Sequence, residues 1–222
     1  MRRLLIKTEA WYQGRGFHRL NRVFIVSLFL TLSATLGCTT VLTPMKAGAD
    51  SSVTSEEGLV LGRIHVTGSE GEQLVSPDKP FHARFHIQWR VREQTLGKDF
   101  LVEGLPNDGP FVLKLPTGSY QLTALSFDTA LGIWQTLLPT SFTVSPRECT
   151  YLGTWELRTH AGLFDGSIFR QVFDQPSLAR RDLRTFLNDG FGPPLVTQLS
   201  SAMESPLILT FRTQGTELTS PP

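Results

Sequence analysis

The chain has 222 residues, 21 Lys and Arg against 20 Asp and Glu, five His and two Cys. That length fits one ordinary domain with a tail, and a formal charge of +1 gives no basic field for nucleic acid. Two cysteines exclude a disulfide framework, and 40% hydrophobic residues with 15 Phe and 4 Trp exclude a disordered chain.

Residues 1–22 carry Arg2, Arg3, Lys7, Arg15, Arg19 and Arg22 against Glu9 alone; residues 23–36 then run without a charge. As a helix that run would span ~21 Å, short of the ~30 Å hydrocarbon core of a bilayer. A basic stretch followed by a short apolar one is the layout of an export signal. The run ends in Ala34-Thr35-Leu36-Gly37-Cys38. These residues resemble a bacterial lipobox, although Thr35 stands where Leu is commonest in that family. The resemblance implies a signal peptide over 1–37, cleavage between Gly37 and Cys38, and diacylglycerol on the Cys38 sulfur. Thr39 in place of Asp after the cysteine is similar to lipoproteins sorted to the outer membrane. Two other readings are open: ordinary cleavage after Ala47-Gly48-Ala49, and an uncleaved anchor. The first lies 13 residues beyond Leu36, long for a signal's polar end, and the second is penalised by the short apolar run.

Without residues 1–37 the chain carries fifteen bases against nineteen acids. Residues 38–57 are small and polar without sustained periodicity, which predicts a flexible tether. From Gly58 a period of two takes over, predicting a β-sandwich domain over 58–158. Its clearest strand is 81–92, where Phe81, Ala83, Phe85, Ile87, Trp89 and Val91 alternate with His82, Arg84, His86, Gln88, Arg90 and Arg92. Further strands are predicted at 58–66, 99–104, 111–115, 119–127, 132–138, 141–144 and 150–157, with an eighth of this series at 166–173. Short strands at this spacing argue for antiparallel sheets in a sandwich. A strand-helix-strand extension over 159–215 follows, packed on the sandwich. Asp174 or Ser177 is expected to cap its helix, with Pro176 in the first turn and Gly190 at the end. Ala179, Leu183, Phe186 and Leu187 form its apolar stripe, and Arg180, Arg181 and Arg184 face elsewhere. Residues 195–199 and 207–211 predict a short strand and a docked tail, and 216–222 a frayed end.

Phe111-Val-Leu-Lys-Leu-Pro-Thr-Gly-Ser-Tyr-Gln-Leu-Thr-Ala-Leu125 resembles the "strand, L-P-x-G-x-Y, strand" hairpin of transthyretin-like and carboxypeptidase-regulatory-like sandwich domains. Glu148-Cys-Thr-Tyr-Leu-Gly-Thr-Trp-Glu-Leu157 is similar to the strand that follows it in bacterial envelope lipoproteins. The two motifs cover about a quarter of the chain. The resemblance implies a mainly β fold that binds or scaffolds, and it brings no catalytic residues to carry over.

Motifs for hydrolytic, nucleotide-binding or zinc chemistry are missing from the sequence, so no catalytic residue, metal ligand or cofactor is predicted. His82 and His86 sit four apart on a strand, ~13 Å along one face, too far to share a metal. His65 and His160 stand alone. Cys149 reads as a small buried hydrophobe at a strand start, and Trp89, Trp134 and Trp155 as core anchors. The most informative surface is basic: Arg84, Arg90 and Arg92 on one strand, with Arg180, Arg181 and Arg184 on the helix. Brought together, they would contact anionic lipid, lipopolysaccharide or an acidic partner. Standing apart, they are a solvated face that guards a sheet edge.

The sequence thus reads as a non-catalytic, lipid-anchored envelope protein, held to membrane lipid through Cys38 and binding another envelope protein or polymer. The alternative is an exported enzyme or metal-dependent hydrolase with a site assembled from separate loops.

Overall fold

A computed structural model describes residues 39–48, 52–68, 71, 86–129, 132–161, 166–187, 193–199 and 206–212. Residues 1–38 with Gly37 and Cys38, residues 81–85 with Arg84, Gly190 and the tail 216–222 lie outside them. Thr39–Pro222 clusters as one compact unit.

The elements are β1 (Thr40–Leu42), β2 (Glu57–Thr67), β3 (His86–Glu93), β4 (Asp99–Leu105), β5 (Asp108–Pro116), β6 (Gly118–Thr129) and β7 (Gly132–Val144). They continue with β8 (Cys149–Ala161), β9 (Gly166–Phe173), α1 (Pro176–Phe186), β10 (Leu195–Thr197) and β11 (Leu207–Arg212). The described residues are mainly β with one helix, as the alternating pattern predicts. Its strands form one sheet in the order β1-β4-β3-β6-β7-β11-β9-β8-β2-β5, with β10 beside β8. The sheet nearly closes on itself. β11 pairs with β9 through Leu207–Leu209 and with β7 through Thr210–Arg212, so one strand joins the two halves.

Three pairings correct the all-antiparallel expectation: β1–β4, β2–β8 and β8–β10 are parallel. A parallel pair needs a long connection, and β2 reaches β8 only after the chain has built β3 to β7. The L-P-x-G-x-Y segment also departs from a hairpin. β5 pairs with β2, whereas β6 pairs with β3 and β7, so this turn carries the chain between the two halves. Tyr120 anchors it: its hydroxyl donates to the Pro116 carbonyl at 2.8 Å, and its ring stacks on Phe142 at 5.5 Å.

The inner face of the sheet encloses the main core, centred on Trp89, Trp155, Phe111, Phe127 and Tyr120. Trp89 meets Phe111 edge to face and lies against Trp155, with ring centroids 5.0 Å apart in each case. Trp134 is buried as well, tilted against Phe211 at 4.9 Å. The outer face of β2, β5 and β8 is covered by α1. Ala179, Leu183, Phe186 and Leu187 meet Leu59, Leu61, Val112, Cys149 and Tyr151 in a second apolar layer. Burial on both faces is why β2 reads as the near-continuous apolar run Leu59-Val-Leu61.

Further expectations change. Strands 132–138 and 141–144 are one, because the sheet absorbs Pro139 in a bulge. Leu122 pairs with Thr140 and Ala124 with Leu137, so Leu138 and Pro139 oppose Thr123 alone. The helix cap is Gln175, with neither Asp174 nor Ser177 in that place. Gln175 is held instead by β8, its N–H donating to the Tyr151 hydroxyl and its side-chain oxygen accepting from Thr154. The helix ends at Phe186 because Leu187 turns extended and stays buried in the second layer.

The expected free tether is laid onto the fold. β1 pairs with β4 from Thr40↔Phe100 to Leu42↔Val102, and the Met45 N–H then donates to the Val112 carbonyl of β5 at 2.8 Å. Gly48 N–H reaches the Phe186 carbonyl at the end of α1. Met45 and Val53 pack on the second apolar layer, and Leu42 on the main core. This segment therefore spans the two outermost long strands, β4 and β5, opposite the seam that β11 makes. Nor is 159–215 an addition to a finished sheet, since β9 and β11 complete it.

Candidate functional site

The basic residues divide. On β3, His86, Arg90 and Arg92 project outward while Ile87, Trp89 and Val91 are buried, the register that the alternation predicts. Arg92 is engaged by Asp99 of β4 through two bonds, Nε–Oδ1 at 2.7 Å and Nη2–Oδ2 at 2.8 Å. Those hydrogen bonds raise the guanidinium's pKa and hold the Asp99 carboxyl below its usual range. Arg180, Arg181 and Arg184 are exposed on α1, which packs against β2, β5 and β8. β3 belongs to the other half of the sheet, three strands beyond β11. The fold separates Arg90 and Arg92 from the helix arginines, because strand order and not sequence sets which faces meet.

One helix residue behaves differently from its neighbours. Asp182 is only 6% exposed and accepts from Arg63 of β2, Nε at 3.0 Å and Nη2 at 2.8 Å. The pair ties the helix to the sheet. Its signal was in the sequence, since Asp182 stands three residues after Ala179 and four before Phe186, on the apolar stripe itself. A second internal cation, Arg170 of β9, occupies an inward position between Ile168 and Val172 and is 3% exposed. Its Nη1 donates to Thr140 Oγ1 at 2.9 Å, and its guanidinium lies 5.2 Å from the Trp155 ring centre. Burial lowers its pKa.

Cys149 opens β8 fully buried, as a core thiol. Desolvation pushes its pKa up to about 12, so it stays protonated at neutral pH and has no thiolate to attack with. His65 pairs with Asp108 across the β2–β5 ladder. His160 borders a surface recess of about 360 Å³ with Arg158, Thr159, Ser167 and Phe169. The Thr159 hydroxyl is committed there, donating to the Thr67 carbonyl at 3.2 Å. Among the described residues no group of three His, Cys, Asp or Glu converges as a metal would require.

A hydrogen-bonded turn stands out between β3 and β4. The Glu93 carboxylate accepts the backbone N–H groups of Thr95 (at 2.9 Å) and Leu96, and the Glu93 N–H donates to the Lys98 carbonyl at 2.8 Å. The Leu96 N–H, with help from Thr95, holds the Glu93 carboxyl below the usual range. Leu96 at the tip is 83% exposed.

No family model and no curated protein matches this chain. Among solved structures, a leucine-rich repeat protein from Bacteroides thetaiotaomicron is similar over 47% of this chain at 15% identity, with a TM-score of 0.30. The chain spans 14% of that protein's length. A mutant catechol 1,2-dioxygenase from Acinetobacter radioresistens is similar over 93% of this chain and 73% of its own, at 9% identity and a TM-score of 0.30. Similarity at this level assigns neither a fold family nor an activity.

Proposed function

We propose that this chain is a lipid-anchored protein of the bacterial cell envelope, acylated on Cys38 after cleavage between Gly37 and Cys38. Its β-domain serves as a non-catalytic binding or scaffolding module for another envelope protein or polymer, on the periplasmic face of the outer membrane. The observation that carries the reading is that β1 is already paired with β4 at Thr40, two residues after Cys38. Cleavage at the lipobox removes the export signal and keeps every described pairing. Cleavage after Ala49 would discard β1 and the bonds of Met45 and Gly48, which favours Cys38 over the second cleavage site. Acyl chains on one residue anchor stably when two or more are present.

The domain itself we read as a transthyretin-like sandwich. The 116–118 turn between strands of different halves and the Tyr120 lock on Pro116 support facing layers over a wide-open barrel. Labelled palmitate fed to cells expressing the wild type and Cys38→Ser tests the anchor. We expect label and membrane fractionation in the wild type, with label lost in the variant. Equal labelling of both, or of neither, overturns the reading.

A further inference from the structure

We propose that the β3–β4 turn, with Leu96 at its tip, is the surface through which the domain rests in the lipid leaflet that the acylated Cys38 enters. The inference depends on the lipoprotein reading above and assigns the orientation that this reading leaves open.

Chain geometry comes first. Only Thr39 lies between Cys38 and β1, so the Cα atoms of Cys38 and Thr40 are at most about 7 Å apart. A lipid on Cys38 is thus fastened to the sheet itself, without a long tether between them. Direction comes from the pairing. β1 is parallel to β4 with Thr40 opposite Phe100, so the chain enters where β4 begins, the end that carries residues 94–98. Whatever bilayer receives the acyl chains meets that turn.

The turn is built to present an apolar side chain. Glu93 fixes its backbone through the N–H groups of Thr95 and Leu96, and Gly97 takes a left-handed conformation, φ 67°, which lets the chain reverse. Leu96 is left projecting with no core to enter. Beside it the exposed Lys98 ammonium, 5.1 Å from the centre of the Phe100 ring, offers a cation at the depth of lipid phosphates. An apolar tip flanked by a lysine fits the boundary between acyl chains and headgroups.

The test uses the full, processed protein reconstituted into phosphatidylethanolamine–phosphatidylglycerol vesicles. Leu96→Cys and Leu137→Cys are labelled with an environment-sensitive fluorophore, and lipids bearing a nitroxide near the headgroup serve as quencher. Leu137 is the matched control: it is 74% exposed, but lies opposite Ala124 of β6, which faces Arg90, three residues (~10 Å) up the sheet from Glu93 where the turn begins. Cys149 is buried and takes no label. Palmitate incorporation is measured on the same variants. We expect at least about twofold stronger quenching at position 96 than at 137. Palmitate uptake with equal quenching at the two positions overturns the orientation and leaves the anchor standing. No palmitate and no vesicle association overturns both.

Discussion

Arg63 and Asp182 join β2 to α1 where the second apolar layer leaves little access for water: their side chains are 17% and 9% exposed. Coulomb attraction in such a place is offset by the cost of desolvating both groups, so the pair adds little over a well-packed apolar substitute. Removing one partner is another matter, because the survivor's charge stays buried. Arg63→Ala should therefore cost about 3 kcal/mol, the lower end for buried pairs because Arg63 retains some water. Asp182→Ala should cost less, since the longer arginine can swing its head outward. The double change Arg63→Met with Asp182→Leu should recover most of the loss in urea unfolding. A double variant as unstable as the sum of its singles would contradict this account. Asp182 on the stripe could be found from spacing alone; which strand answers it could not, since 119 residues separate the partners.

At the scale of the element, β8 depends on Gly153. Before it, Cys149–Tyr151 pair with β10; after it, Thr154–Ala161 pair with β9. Opposite β2 the register shifts here, with Leu61 facing Tyr151 and Arg63 facing Thr154. The extra residue turns the strand over. Tyr151 and Thr154 both reach Gln175 on the helix side, while Leu152 and Trp155 enter the main core. Gly153 has φ 94°, and a Cβ there would stand 2.5 Å from Val172 Cγ1. Gly153→Ala should thus cost about 2–4 kcal/mol in urea unfolding, from the left-handed backbone and the overlap together. Gly97→Ala, with φ 67° and open space around it, should cost only about 1 kcal/mol. Equal effects at both glycines would show that close packing is not what Gly153 answers to.

Elements with a wet and a dry face were legible in the sequence, as β3 and α1 illustrate, because period and burial coincide in them. Irregularities were not. Pro139 reads as a strand break, since a sequence does not reveal the bulge that absorbs it. Residues 39–48 read as a tether because their bonds are made by backbone on three paired residues and two isolated N–H groups, which leave no side-chain period. The layout of the basic surface was not legible for a different reason: sequence identifies which residues are exposed, whereas strand order decides which exposed faces adjoin.

For the molecule as a whole, the two seams explain how a long β-sheet avoids presenting free edges. β11 fastens β7 to β9 on one side. On the other, β1 covers β4 and Met45 bonds to β5, so the segment immediately after the proposed lipid site is also the clasp of the sheet. Uncovered strand edges offer templates for pairing with a second chain. A soluble chain beginning at Ser52 should therefore differ from one beginning at Thr39, although both lack the lipid. We expect about 2–4 kcal/mol lower stability from the lost packing of Leu42 and Met45 and their neighbouring backbone bonds. We also expect faster amide exchange at Val102 and oligomers at high concentration. Val112 reports the same edge through its carbonyl, so its neighbours on β5 should exchange faster too. If the two chains match in stability, exchange and oligomeric state, residues 39–48 are a passive covering. The sheet would then be closed by β11 alone.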